Sequence, residues 1–223
     1  MSGARIALVD YGAGNLASVR KAFVACGAEV FAPEGPGSLG EADAIVVPGV
    51  GHFDRTRVLD EPWRDAVRAA LDRGRALFGI CLGMQWLFEG SDEAPGCAGL
   101  GILPGRCVLL GTDNRAGEAF PGDSPGEAPA SPLKVPHVGW NSLEQVRPSE
   151  LLAGLRPRAQ AYFTHSYAAP VTSACVATTS HGSAFASVVE QGRAFGVQFH
   201  PEKSGDVGLA ILGNFLRVVE GRE

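Results

Sequence analysis

With 223 residues, 45% hydrophobic and 19% charged, the chain is long enough for one full core, and its net charge of −5 gives no electrostatic footprint for nucleic acid. Its richest apolar run, 76–88, is broken by glycines and Gln85, so no membrane span is expected, and the first residues lack the basic-then-apolar pattern of a secretion signal. Five scattered cysteines without a CxxC pair argue against a disulfide framework or a zinc site and suit a reducing cytosol.

In chain order, Arg5 to Asp10 reads as a buried strand that ends in a glycine turn. Leu16, Val19 and Phe23 then fall on one face of a helix closed by Gly27. Glu29 to Ala32 and Ala44 to Val47 are strands, the second ended by Pro48-Gly49. Trp63, Val67, Ala70 and Leu71 make a second helical stripe closed by Gly74, followed by a strand at Ala76 to Ile80 and a short helix from Leu82 to Glu89. This β–α–β rhythm predicts an α/β fold with a largely parallel central sheet and helices on both faces. The second half changes character. Short strands at 107–110, 142–146, 161–164, 174–179, 186–190 and 195–199 predict antiparallel additions to the sheet, and 206–219 predicts a closing helix. Residues 111–132, rich in Gly, Pro and acid and nearly free of aliphatics, read as a mobile surface insertion.

The stretch GICLGMQ at 79–85 places Cys81 at a strand-to-helix junction with a glycine two residues away on either side. That G-x-C-x-G spacing has the logic of a nucleophile elbow. A turn too tight for flanking side chains presents the central one above the carboxyl edge of the sheet, facing the positive end of the helix that starts at Leu82. A thiol nucleophile needs a base, and the base needs an orienter. His200 ends the strand 195–199, on the edge where open α/β sheets place their sites, and Glu202 can turn back to it across Pro201. His52, His137, His165 and His181 lack that combination of strand end and acidic partner, and read as structural or solvated. Acyl chemistry also needs donors for an oxyanion. The loop Pro48-Gly49-Val50-Gly51 lets backbone approach a ligand closely, so the N–H groups of Val50 and Leu82 are the expected pair.

Taken together, GxCxGxQ at 79–85 and FHPE at 199–202 resemble the class I (triad) glutamine amidotransferases over almost the whole chain. The resemblance implies one flavodoxin-like domain spanning 1–223, with Cys81, His200 and Glu202 as the triad. It also implies glutamine contacts at Gly51, Gln85, Ser166 and Tyr167, and no metal or organic cofactor. Finer segments are DYGAGNL at 10–16, VPGVGHF at 47–53, KVPHVGWN at 134–141, THSY at 164–167 and FHPEKS at 199–204. They are similar to the branch that passes ammonia to a (β/α)₈-barrel cyclase subunit in histidine biosynthesis. For that branch the resemblance implies a cytoplasmic heterodimer, with Asn15, Trp140 and Lys203 on the cyclase-facing surface. A glutaminase feeding another synthase would share the triad, and a lone hydrolase could share the elbow. A scaffold that kept only the fold would be expected to lose a triad member.

Overall fold

The chain's structure, a computed structural model, describes residues 3–111 and 133–221. The insertion expected at 111–132 therefore lies outside the described residues, apart from Gly111. Strand β1 (Arg5–Leu8) leads to α1 (Leu16–Ala25), β2 (Glu29–Phe31), β3 (Ala44–Val47), α2 (Glu61–Asp72), β4 (Ala76–Ile80) and the short α3 (Leu82–Trp86). The second half supplies the small strands β5 (Gly90–Ser91) and β6 (Arg106–Leu109), then β7 (His137–Ser142), β8 (Glu144–Gln145), β9 (Gln160–His165) and β10 (Tyr167–Ala168). The hairpin β11 (Cys175–His181) and β12 (Ser183–Gln191), the strand β13 (Ala194–Val197) and the helix α4 (Gly205–Glu220) complete it.

The main sheet has eight strands in the order β2-β1-β3-β4-β13-β12-β11-β8. Strands β2 through β13 in that order are parallel, and β12, β11 and β8 add antiparallel to one side. The parallel strands are continuous apolar runs because both faces are covered. In β3, Ala44 and Val46 join one core, with Phe23 and Phe215 of α1 and α4. Ile45 and Val47 join the other, with Val67 of α2 and Met84 of α3. On the first face the Phe78 and Phe215 rings stack at 4.8 Å, and Phe23 meets both edge-on. Helix α1 is opened by Asn15, whose side chain accepts the Ser18 N–H. Helix α4 closes on Gly221 at φ 65°.

The predicted strands at 107–110 and 161–164 do not join the main sheet. The first, as β6, pairs with β5 and β10, and the second, as β9, pairs antiparallel with β7. The helix expected to reach Glu89 stops at Trp86, because the Leu100 and Gly101 N–H groups take the Trp86 and Phe88 carbonyls. At the carboxyl ends of β3, β4 and β13, three neighbouring parallel strands release the loop 48–51, Cys81 and the segment 198–202 side by side.

Candidate active site

Cys81 adopts φ 53° and ψ −107°, a conformation L-residues avoid, and its N–H donates to the Val197 carbonyl at 2.7 Å. The flanking glycines permit the bend. A Cβ on Gly79 would lie 2.6 Å from the Gly83 oxygen, and one on Gly83 would lie 1.8 Å from the Val47 oxygen. The G-x-C-x-G spacing is therefore a packing requirement of the turn. Cys81 borders a cavity of about 290 Å³ shared with Gly51, Leu82, Gln85, Ser166 and Tyr167. Three other cysteines are held as unreactive thiols. Burial pushes the Cys26 and Cys107 thiols up and carries Cys175 to about 12.

His200 and Glu202 form a buried pair, with Nδ1 2.8 Å from Oε1 and side chains only 1% and 2% exposed. Because the carboxylate accepts, Nδ1 donates to it, and Nε2 is the nitrogen left to face the reacting atoms. Burial disfavours the imidazolium, but the Cys81 charge, and after it Glu202, more than offset this and raise the His200 pKa to about 10. The Cys81 sulfur couples to this ring by charge and close approach, and Nε2 has no other partner among the described residues. A ring so raised rests as the imidazolium, an acid ready to protonate a leaving group.

Gln198, one of the residues not singled out from sequence, is fully buried and donates to the Cys81 sulfur at 3.6 Å. Its Oε1 accepts from Gln85 Nε2 at 3.1 Å, and Gln85 also donates to the Tyr167 carbonyl at 2.8 Å. Glu93, likewise missed, places a carboxylate on the cavity wall and accepts the Phe53 N–H at 2.7 Å. The available signal for Gln198 was a lone polar side chain inside the apolar strand run 195–199. Glu93 sits in an unpatterned turn, where no spacing rule selects it.

One of the two expected oxyanion donors is not free. The Leu82 N–H donates to the Gly49 carbonyl at 3.4 Å, so an oxygen of the loop itself occupies that donor. Gly49 has no room for a side chain, since a Cβ there would lie 2.1 Å from the Tyr11 hydroxyl. That hydroxyl is buried without a partner, and burial together with the Cys81 charge holds it protonated.

The three residues expected at a partner surface all reach solvent. Trp140 is 55% exposed and meets Tyr162 edge-on at 6.1 Å. Lys203 Nζ lies 5.9 Å from the centre of the same Tyr162 ring. Val138, 57% exposed, shares the outward face of β7 with Trp140. Asn15 is exposed at the start of α1. Among the described residues no group of three or more His, Cys, Asp or Glu side chains could hold a metal ion, and no helix is long and apolar enough to cross a membrane.

The family model described as glutamine amidotransferase class-I matches residues 7–219. The chain is 43% identical over 220 residues to the imidazole glycerol phosphate synthase subunit HisH of Deinococcus radiodurans, covering 95% of this chain and 93% of that one. Against the protein of the same name from Halobacterium salinarum the identity is 44%, covering 96% of this chain and 93% of the other. Among solved structures, one described as a glutamine amidotransferase aligns with a TM-score of 0.68 at 20% identity, covering 96% of this chain and 98% of that chain. The glutaminase domain of Trypanosoma brucei CTPS aligns at 0.63 and 19% identity, covering 99% of this chain and 95% of that one. At such identities these two likenesses bear on the fold alone.

Proposed function

The chain belongs to the class I glutamine amidotransferase family, and from that premise we propose that it is the glutaminase subunit of an imidazole glycerol phosphate synthase. In this reading it hydrolyses L-glutamine to glutamate and ammonia in the cytoplasm. It passes the ammonia to a cyclase subunit, which forms imidazole glycerol phosphate and the aminoimidazole carboxamide ribonucleotide. Support comes from the two HisH relatives at 43% and 44% identity over nearly full length. The observation that carries the chemistry is the forced turn at Cys81, which sets the sulfur on a cavity wall beside the buried His200–Glu202 pair.

The steps follow from that geometry. The Cys81 thiolate attacks the side-chain amide carbon of glutamine and forms a tetrahedral centre. His200, held by Glu202 and carrying its extra proton, gives that proton to the departing ammonia, leaving a γ-glutamyl thioester. Water then attacks the thioester with His200 as base, releasing glutamate and restoring the thiolate. Gln198 donates to the sulfur and steadies it between steps. Gly51, Gln85, Ser166 and Tyr167 border the substrate's place, and Glu93 supplies negative charge for the α-ammonium group.

Val50 and Leu82 stabilise the oxyanion only after the Gly49–Val50 peptide turns, because the Gly49 carbonyl engages Leu82 at rest. Docking of the cyclase over Trp140, Lys203 and Asn15 is the event that favours the turned state. Glutaminase turnover of the chain alone and with a ligand-loaded cyclase, for the wild type and Cys81→Ala, tests this reading. The expected result is feeble turnover alone, strong stimulation by the loaded partner, and no turnover in the variant, whose complex still uses added ammonia. Retained turnover in Cys81→Ala would remove the nucleophile assignment, and equal rates with and without the partner would remove the coupling.

A further inference from the structure

Behind the outward face of β7, two histidines that the triad does not use form a chain of hydrogen bonds ending at the substrate cavity. Asn141 Nδ2 lies 3.2 Å from His137 Nε2, His137 Nδ1 lies 3.1 Å from His165 Nε2, and His165 Nδ1 lies 2.9 Å from the Tyr167 carbonyl. Both rings are nearly enclosed, 5% and 7% exposed, among Phe163, Phe185 and His181.

The direction of every proton in this chain is fixed by its ends. A carbonyl only accepts, so His165 carries its proton on Nδ1, and a neutral His165 must accept at Nε2. His137 then donates from Nδ1 and, being neutral, accepts at Nε2. Asn141 is oriented to supply that last proton, because its Oδ1 accepts the Ser142 N–H at 2.8 Å and its Nδ2 also donates to the Ser180 carbonyl at 3.1 Å. Burial is the main force keeping both rings neutral, since it pushes His137 down to about 4 and His165 to about 3. One tautomer of each ring satisfies all the bonds.

The Tyr167 carbonyl at the end of the chain is the same oxygen that Gln85 holds from α3, next to Ser166 on the cavity wall. We propose that His137, acting through His165, is a positioning residue that sets glutamine affinity by fixing the Ser166–Tyr167 backbone. The inference rests on the cavity being the glutamine site. Its origin at Asn141 lies beside Trp140 on β7, so the chain joins the exposed strand face to the cavity.

The test uses the complex with the cyclase, in the Cys81→Ala background, so that glutamine binding is read without turnover. His137→Phe keeps the stacking on Phe163 and His181 but removes both nitrogens. It should weaken glutamine binding roughly tenfold, the effect of losing one to two hydrogen bonds' worth of order. His137→Gln can donate to His165 and accept from Asn141, and should restore affinity to within about threefold of the parent. Asn141→Asp is isosteric but cannot donate, and should weaken binding in the same direction, which keeps the proposal testable if the Phe variant folds poorly. Imidazole nitrogen NMR of the resting chain should show His165 protonated at Nδ1 in all of these proteins, with its Nε2 signal shifted in His137→Phe, where that nitrogen has lost its donor. A Nε2-protonated His165 in the parent, or equal affinity of all variants, would overturn the assignment. If glutamine binds none of these proteins while the tautomers are as described, the glutamine-site reading fails instead.

Discussion

At the scale of single residues, the site depends on atoms that are absent as much as on those that react. Gly83 shows this most directly, because its missing Cβ is what lets α3 pass against the β3 backbone. An added methyl would sit 1.8 Å from the Val47 oxygen, a backbone atom that no side-chain motion relieves. Gly83→Ala is therefore expected to cost about 1–3 kcal/mol of stability, the usual range for overpacking. It should also lower partner-stimulated glutaminase turnover more than tenfold, since the sulfur moves with the turn. Urea denaturation and turnover of the variant check both, and an unchanged midpoint would mean that the elbow accommodates the methyl. The elbow, His200 and Glu202 were readable in the sequence because each sits in a short local pattern with a steric or acid–base reason behind it. Gln198 and Glu93 were not, because what selects them is which cavity they meet, and that depends on strands far apart in the chain.

At the scale of elements, β7 shows why the core strands were legible and this strand was not, although its partner β9 was read at 161–164. In β1, β3 and β4 apolar side chains cover both faces, and an unbroken apolar run is their signature. Strand β7 reverses the usual alternation. Its inward positions are His137 and Asn141, satisfied by a polar chain, and its outward positions are Val138 and Trp140, both more than half exposed. Read by the rule of apolar-in and polar-out, HVGWN gives no strand with a sensible face. Its exposed apolar face is explained if another protein covers it, and an aromatic flanked by Tyr162 and Lys203 is the kind of anchor that dominates such contacts. Trp140→Ala should weaken cyclase binding by about 2 kcal/mol, or roughly thirtyfold, with little loss of the subunit's own stability. Titration calorimetry with the cyclase measures the first and thermal melting the second. Unchanged affinity would move the docking surface elsewhere.

At the scale of the whole molecule, neutral buried imidazoles tie stability to pH. His137 and His165 are held mainly by burial at about 4 and about 3, below the ordinary value of 6.5. An unfolded chain takes up protons on these groups as pH falls through 6.5, while the folded chain does not. The stability they contribute is therefore present above pH 6.5 and is lost progressively as pH falls toward 4. Most surface carboxylates are still charged between pH 7 and 5, so the slope of unfolding free energy in that window reports chiefly on histidines. His200, raised against burial to about 10 by Cys81 and Glu202, acts in the opposite direction. Its contribution is present below pH 6.5 and lost as pH rises through about 10, so a single profile does not separate the groups. A difference between two profiles does. His137→Gln deletes one depressed group, keeps the hydrogen-bond chain, and leaves the triad intact. Its unfolding should take up roughly one proton less than the wild type near pH 5, giving a visibly shallower acid slope in urea titrations from pH 7 to 5. Parallel slopes for the two proteins would show that His137 is already protonated in the folded chain. The ordered tautomers of the Asn141–His137–His165 chain would then fail with it.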